Sequence, residues 1–410
     1  MSLVVTRDPA AAKRRVLSVA ARLGLAGHLS GRDLNALTLE EVLAALPVCR
    51  KKELVSYGHD AIDEHLEKGL LFSETSGTTS TPLQTPRGTV DLKWNTLNQV
   101  FAYKRHLQPG VDRVAILHPG VLSPFVEASA RALQELGVGY ARVYPIPHVC
   151  EYDRISGVLE RYRITAMMST PTLVYKVLYE LRKARGGTLP SGLKTLLLTG
   201  EHFSQASAAN LGRILGPEGR ALPFVYGSSE AATLMYGIAD GRYRPISEDF
   251  IFEIVRDRSE SVAIKDESGR WSGRLVVTWL RDGLLPILRY DTNDMFTVER
   301  EVGTGEYVFR SEGRADDYPL DIEQKEALES VIFGCDFPVF HYECLAYPND
   351  RQLTVRVVTD KAANVDISAS ETAIVESLRA EWKVNLIINP VDCTFYEFSP
   401  TTKTNRYRIG

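Results

Sequence analysis

Residues 165–228 read TAMMSTPTLVYKVLYELRKARGGTLPSGLKTLLLTGEHFSQASAANLGRILGPEGRALPFVYGS. Short apolar runs at Thr165–Met168, Lys194–Thr199 and Leu222–Tyr226 have strand length. Between them, apolar residues recur at helical spacing from Pro171 to about Arg185 and from Gln205 to Leu215. Proline is favoured in a helix's first turn, so Pro171 marks a start. Strands alternating with amphipathic helices predict a parallel sheet covered on both faces.

Upstream the alternation continues, with strands at Arg113–Leu117 and Gly139–Val143 and helices at Phe125–Gly137 and Tyr152–Tyr162. The first 70 residues read as helical, with Ala10–Leu25 amphipathic and Thr38/Glu41 spaced as a capping box. A further helix is expected at Leu92–Leu107. Beyond about residue 245 the pattern changes. Asp249–Arg256, Arg274–Leu280 and Leu285–Tyr290 look like strands of an antiparallel or barrel-like part. A charged, glycine-containing link, SEGRADDY, follows at 311–318. After it come helices at Ile322–Phe333 and Ser368–Trp382, and strands at Val339–Ala346, Leu353–Thr359 and near Thr394–Phe398. The expected class is α/β, with a large N-terminal domain (1–313) of several subdomains and a small α+β C-terminal domain (314–410).

At 410 residues the chain can bury a large core. With 48 basic and 52 acidic residues, its net charge of -4 argues against nucleic acid or an anionic membrane as partner. Five scattered cysteines without CxxC spacing speak against a disulfide framework or a thiolate zinc site. No signal peptide or long apolar span is evident, which fits a cytoplasmic protein.

Five segments carry the chemistry. Residues 73–82, SETSGTTSTP, crowd hydroxyls around Gly77. Hydroxyls and backbone N–H groups beside a glycine can turn toward phosphate oxygens, although a Ser/Thr-rich surface loop has the same composition. Gly200-Glu201-His202 follows a strand end. Tyr226-Gly227-Ser228-Ser229-Glu230 follows another, at the sheet edge where ligands bind, and its carboxylate can hold Mg²⁺. In PILRYDTND (286–294), Asp294 can accept ribose hydroxyls or simply cap a turn. Gly313-Arg314-Ala315-Asp316-Asp317 joins a cation to two acids. Glu230 stands where a serine-hydrolase elbow needs glycine, and no dinucleotide-binding glycine motif follows a strand.

In this order the segments resemble those of the adenylate-forming enzymes, the superfamily of acyl-CoA synthetases, peptide-synthetase adenylation domains and luciferases. The phenylacetate–CoA ligase branch is the most similar: TSGTTSTP matches its SSGTTGKP, RYDTND its RYRTGD and GRADD its GRSDD. The resemblance runs from about residue 70 to the C-terminus. It implies that Thr75, Ser76, Gly77, Thr78 and Thr79 wrap the β- and γ-phosphates of ATP, and that Gly200, Glu201 and His202 lie along the adenine. Tyr226, Gly227 and Ser228 would border the acyl-adenylate, with His118 beside the acyl pocket. Glu230 would hold Mg²⁺, Asp294 the ribose, and Arg314 ribose or phosphate. Asp316 would be the hinge of a mobile small domain. The implied reaction joins a carboxylic acid, aryl or arylacetic, to AMP with release of pyrophosphate, in specialised metabolism by analogy. The acyl group then passes to an amine, hydroxyl, carrier protein or CoA. A homodimer is compatible with this reading.

Four departures stand out. Ser80 and Thr81 replace the phosphate loop's glycine and lysine. In Pro400–Arg406, Asn405 and Arg406 replace the C-terminal Gly-Lys, leaving Arg406, Lys403 or Arg408 to meet the α-phosphate. Only Tyr318 separates Asp317 from Pro319-Leu320-Asp321-Ile322-Glu323, where the branch has a longer loop lining the pantetheine tunnel, which weakens the case for CoA as acceptor. Residues 231–249 lack the Cys/His cluster of some relatives, so no structural zinc is expected. The replaced lysines also fit a decayed member that binds nucleotide or acyl-adenylate without turnover.

Overall fold

The structure is a computed structural model. It describes residues 2–75, 82–118, 124–146, 150–238, 241–255, 264–265, 269–314, 320, 322–335, 337–360, 367–378, 381–393, 395 and 406–410. The chain opens with β1 (Leu3–Val5), α1 (Pro9–Arg22), α2 (Leu39–Ala45), α3 (Lys51–Asp60), α4 (Ile62–Lys68) and α5 (Thr89–Tyr103). The alternating region follows as β2 (Arg113–Leu117), α6 (Pro124–Leu136), β3 (Gly139–Val143), α7 (Tyr152–Arg161), β4 (Ala166–Ser169), α8 (Pro171–Ala184), β5 (Thr195–Leu198), α9 (Gln205–Leu215) and β6 (Arg220–Pro223).

These five strands form the expected parallel sheet, in the order β3-β2-β4-β5-β6. Strands β4 and β5 are buried along their whole length, as a sheet covered on both faces requires. Helices α5 and α6 cover one face, while α7, α8 and α9 cover the other. The order reverses beside β2, so the carboxyl ends of β2 and β4 open a crevice of the kind that takes ligands.

The run Leu222–Tyr226, expected as one strand, is two. β6 ends at Pro223, Phe224 turns the chain, and β7 (Val225–Ser228) starts a second sheet. Phe224 N–H donates to Leu198 O at 2.7 Å, and Phe224 O accepts from Gly237 N at 2.7 Å, so this residue belongs to both sheets. The second sheet adds β8 (Ala232–Gly237), β9 (Tyr243–Pro245), β10 (Phe250–Val255), β11 (Ile264–Lys265), β12 (Trp271–Trp279), β13 (Tyr290–Arg300) and β14 (Tyr307–Arg314). It is nine-stranded and antiparallel, running β1-β10-β12-β13-β14-β9-β8-β7 with β11 on β12. Two expectations are corrected here. Leu285–Leu288 is turn, with the strand beginning at Tyr290, and residues 311–314 of the supposed link are the end of β14.

The C-terminal part holds α10 (Ile322–Gly334), β15 (Val339–Tyr347), β16 (Gln352–Thr359), α11 (Ile367–Ser377), β17 (Lys383–Ile388) and β18 (Tyr407–Ile409), its sheet ordered β17-β16-β15-β18. The helix expected to reach Trp382 stops at Ser377, and a strand begins at Lys383. Of the strand expected near Thr394–Phe398, all but Phe395 lies outside the described residues.

The two parts share one continuous core. Tyr175 of α8 stacks on Phe333 of α10 with centroids 5.8 Å apart, and Tyr179 meets Phe340 and Phe395 edge-on. Fully buried Asn210 of α9 donates through Nδ2 to Val339 O (2.6 Å) and accepts Val339 N–H through Oδ1 (3.3 Å). No described helix is long and apolar enough to cross a membrane. Asn210→Ala would strand both backbone groups of Val339. It is expected to cost about 1–3 kcal/mol, read as a lower urea midpoint with tryptophan fluorescence unchanged in the native state. An unshifted midpoint would show that water replaces the amide.

Candidate functional site

The stretches that flank the hydroxyl-rich residues 76–81 run as two antiparallel arms of a hairpin. Its arms pair through bridges Leu71↔Arg87 and Glu74↔Gln84. Thr75 N–H donates to Leu83 O and Thr75 Oγ1 accepts Leu83 N–H, both at 3.0 Å. Ser73 Oγ donates to Thr85 O at 2.8 Å. Of the predicted phosphate group, Thr75 closes the hairpin's neck. Ser76, Gly77, Thr78 and Thr79 lie outside the described residues, as do Lys403 and Asp316.

Arg87 ends the returning arm. Its guanidinium is almost fully buried and donates through one nitrogen to the carbonyls of Ser229 and Glu230, the second at 3.0 Å. It also lies 5.1 Å from the centroid of the Trp279 ring and 3.7 Å from Asp91 Oδ1. Asp91 in turn accepts Gly88 N–H at the start of α5. Arg87 is the lone cation between Lys68 and Lys93 in a segment otherwise rich in hydroxyls and apolar residues. That isolation is the signal from which it was legible, and sequence reasoning passed over it.

Beyond the clamped carbonyls, Glu230 Oε1 accepts the Tyr290 hydroxyl at 2.6 Å, and Asp294 Oδ2 accepts the Tyr226 hydroxyl at 2.7 Å. Burial raises both phenols well above their usual value. Both carboxylates add to each shift, Asp294 more at Tyr226 and Glu230 more at Tyr290, so the four groups share one neighbourhood. Arg314 stands across from Asp294 in the β13–β14 ladder, with Nε 3.7 Å from Oδ1. Asn293 takes φ +61, a left-handed geometry that asparagine tolerates and where the resembled motif has glycine. The ladder shifts register between Asp294 and Phe296. This bulge sets Asp294 at the seam of the two sheets.

Gly227 leaves no room for a side chain, since a Cβ would lie 2.1 Å from Ala232 O. Ser228 Oγ accepts Ala231 N–H at 3.0 Å and shapes the turn that carries Glu230. Thr199 Oγ1 donates to Val225 O at 2.6 Å, which ties Gly200 to the start of Tyr226-Gly227-Ser228. Gly200 is left-handed at φ +86. Glu201 Oε2 accepts Thr172 N–H (3.0 Å) and Oγ1–H (2.7 Å), so its charge sits on the N-terminus of α8. His118 follows β2, its ring 6.2 Å from Phe125, and burial pushes its imidazole down to about 4.

Arg406 belongs to a second cluster, at the junction with the C-terminal part. Its backbone carbonyl accepts Cys344 N–H at 2.7 Å, and its guanidinium donates to Glu329 Oε1 at 3.3 Å over the Tyr342 ring. Tyr342 also donates to Glu329. Burial opposes the Glu329 charge, but Arg406 and then His202 outweigh it and hold the carboxyl below its ordinary range. Glu201 in turn stabilises the Arg406 charge. Gly200-Glu201-His202 therefore links the carboxylate pair to Arg406. Glu329, Tyr290 and Arg87 are the polar contributors that the motifs did not single out.

No family model matches the sequence, and no curated protein matches it. Solved structures do. The 2-hydroxyisobutyryl-CoA ligase in its postadenylation state, in complex with R3-HIB-AMP, is 16% identical over 98% of this chain and 89% of that one, with TM-score 0.76. The same ligase with 2-HIB-AMP and CoA in its thioesterification state, 17% identical over the same shares, reaches 0.59. The anthranilate CoA ligase AuaEII, in complex with anthranoyl-AMP, is 14% identical over 77% of this chain and 63% of that one (TM-score 0.55). The amide bond synthetase McbA from Marinactinospora thermotolerans is 16% identical over 78% and 65% (0.52). The chain has the fold of the adenylate-forming enzymes, a large N-terminal part and a small C-terminal one.

The Glu329 pair makes a pH prediction. Because the folded value lies below the ordinary 4.5, the pair's stabilisation is complete above that value and is lost as pH falls through the depressed one. Glu329→Gln is expected to unfold with a shallower stability loss than wild type below about pH 4.5, measured by urea titration at several pH values. Parallel curves would show that Glu329 is not held by Arg406.

Proposed function

We propose that the chain joins a carboxylic acid to AMP at the expense of ATP, releases pyrophosphate, and passes the acyl group to an acceptor. The observation that carries this is the convergence of Glu230 and Asp294, each held by a tyrosine hydroxyl, beside the clamped base of a hydroxyl-rich hairpin. In this reading Thr75, Ser76, Gly77, Thr78 and Thr79 take the β- and γ-phosphates. Gly200, Glu201 and His202 flank the adenine, Asp294 and Arg314 hold the ribose, and Tyr226, Gly227, Ser228 and His118 border the acyl group. Glu230 offers a hard oxygen ligand, which fits Mg²⁺ bound with the nucleotide. When present, that ion neutralises phosphate charge.

The acid's carboxylate oxygen attacks the α-phosphorus, the bond to the bridging oxygen breaks, and pyrophosphate departs. No proton has to move, so the chain's task is positioning and charge neutralisation. Arg406, with Lys403 beside it in sequence, is the proposed cation for the α-phosphate. Reaching it requires Arg406 to leave Glu329, by a swing of residues 314–410 against 1–313 about Asp316. For the acid we favour an aryl or arylacetic one. Solved relatives in fold include CoA ligases and an amide bond synthetase. The short segment after Asp317 favours an amine, hydroxyl or carrier protein over CoA.

The test is pyrophosphate release from ATP with a panel of aryl acids, followed by acceptor trials. Acid-dependent release is expected. Glu230→Gln should lower kcat by about 100-fold or more, the scale of removing one preorganised electrostatic contact. Asp294→Asn should chiefly raise KM for ATP. The pairing of Arg406 with Glu329 favours one second reading, a protein that binds nucleotide without turnover. ATP binding with no acid-dependent exchange would establish that reading and refute the first. Strict CoA dependence with a thioester product would overturn the acceptor preference.

A further inference from the structure

On β15, His341 and Glu343 project from the same face, two residues apart, and Cys393 meets them from the turn after β17. One donor atom from each, an imidazole nitrogen, a carboxylate oxygen and the thiol sulfur, lie within 4.8 Å of one another. All three side chains are buried, at 2%, 3% and 1% exposure. His341 Nε2 lies 3.6 Å from Glu343 Oε1, too far for a hydrogen bond, and has no hydrogen-bond partner among the described residues. A fully buried ring nitrogen in that state costs free energy unless something occupies it.

The surroundings favour a cation. Arg356 lies 3.6 Å from Glu343 Oε2, so the carboxylate's other oxygen is the one left on the side of His341. Arg356 is itself fixed by Asp392 Oδ2 at 2.6 Å, one residue before Cys393. This is the outer arrangement that orients metal ligands. The donor set has one nitrogen, one oxygen and one sulfur, and three protein ligands leave a fourth tetrahedral position for water.

We propose that His341, Glu343 and Cys393 bind a divalent ion of the zinc class inside the C-terminal part, at a site independent of the nucleotide reading. Binding displaces the thiol proton of Cys393 to solvent and leaves a neutral complex of one dication with thiolate, carboxylate and imidazole. The ion would tie the turn that ends at Cys393 to β15. It would also steady the Phe395 ring, which stacks on His341 with centroids 5.2 Å apart. Phe395 in turn touches the large part, because its carbonyl accepts Lys176 Nζ of α8 at 2.6 Å and its ring meets Tyr179.

The test uses the full chain, stripped with a chelator and titrated with zinc against a chromophoric competitor. One equivalent is expected to bind and to raise Tm, with Cys393→Ser and His341→Gln each weakening affinity about 100-fold or more and abolishing the zinc-dependent rise. Should either variant fail to fold, zinc-edge X-ray absorption of the wild type decides, with one sulfur and the rest nitrogen or oxygen expected. No zinc uptake, an all-nitrogen/oxygen shell, or variants that bind as wild type would overturn the proposal.

Discussion

A guanidinium buried among apolar side chains is costly unless its charge is answered, and Arg87 is met from three directions, although its Nη1 makes no hydrogen bond among the described residues. Two consecutive carbonyls of the Ser229–Glu230 turn accept from it, the Trp279 ring lies beside its cationic face, and Asp91 supplies the opposing charge. The Ser229–Glu230 turn and Trp279 lie more than 140 residues beyond Arg87 along the chain, whereas Asp91 is its neighbour one helical turn on. The clamp makes the base of the hairpin and the Glu230 turn one body. Since the chain leaves the parallel sheet after β6 and enters the second sheet as β7, with Phe224 between, the same body spans the seam of the two large sheets. Asp294 reaches that seam from the other side, through the bulge in β13.

The junction with the C-terminal part is built differently. Its aromatic contacts and the Asn210 clasp are well packed, while its charged centre, Arg406 on Glu329, is a pair that either partner can leave only at a cost. Glu201 ties the loop after β5 to this junction. It caps α8 through Thr172 and also stabilises the Arg406 charge. Any movement of the small part is therefore coupled electrostatically to the loop after β5.

Much of this was legible in the sequence. Uninterrupted apolar strands such as Thr195–Leu198 and the helices between them have strong periodicity, so the parallel sheet was readable nearly residue by residue. The turn at Asn293 and the crowded Gly227 made their motifs recognisable. What stayed hidden depends on distant partners. β1 is three residues long and exists because β10 pairs with it. β18, within a basic tail, is a strand because β15 offers its edge. Leu222–Tyr226 looks like one apolar run, and only the change of sheet at Phe224 divides it. Arg87 belongs to no motif, and its importance lies in carbonyls far away in sequence.

A crystal structure of the chain with Mg²⁺ and an ATP analogue uncleavable at the α–β bridge is the most direct examination of this account. The triphosphate is expected between residues 75–79 and Glu230, with the ribose hydroxyls on Asp294. A nucleotide bound elsewhere, or Glu230 and Asp294 facing separate clefts, would contradict it.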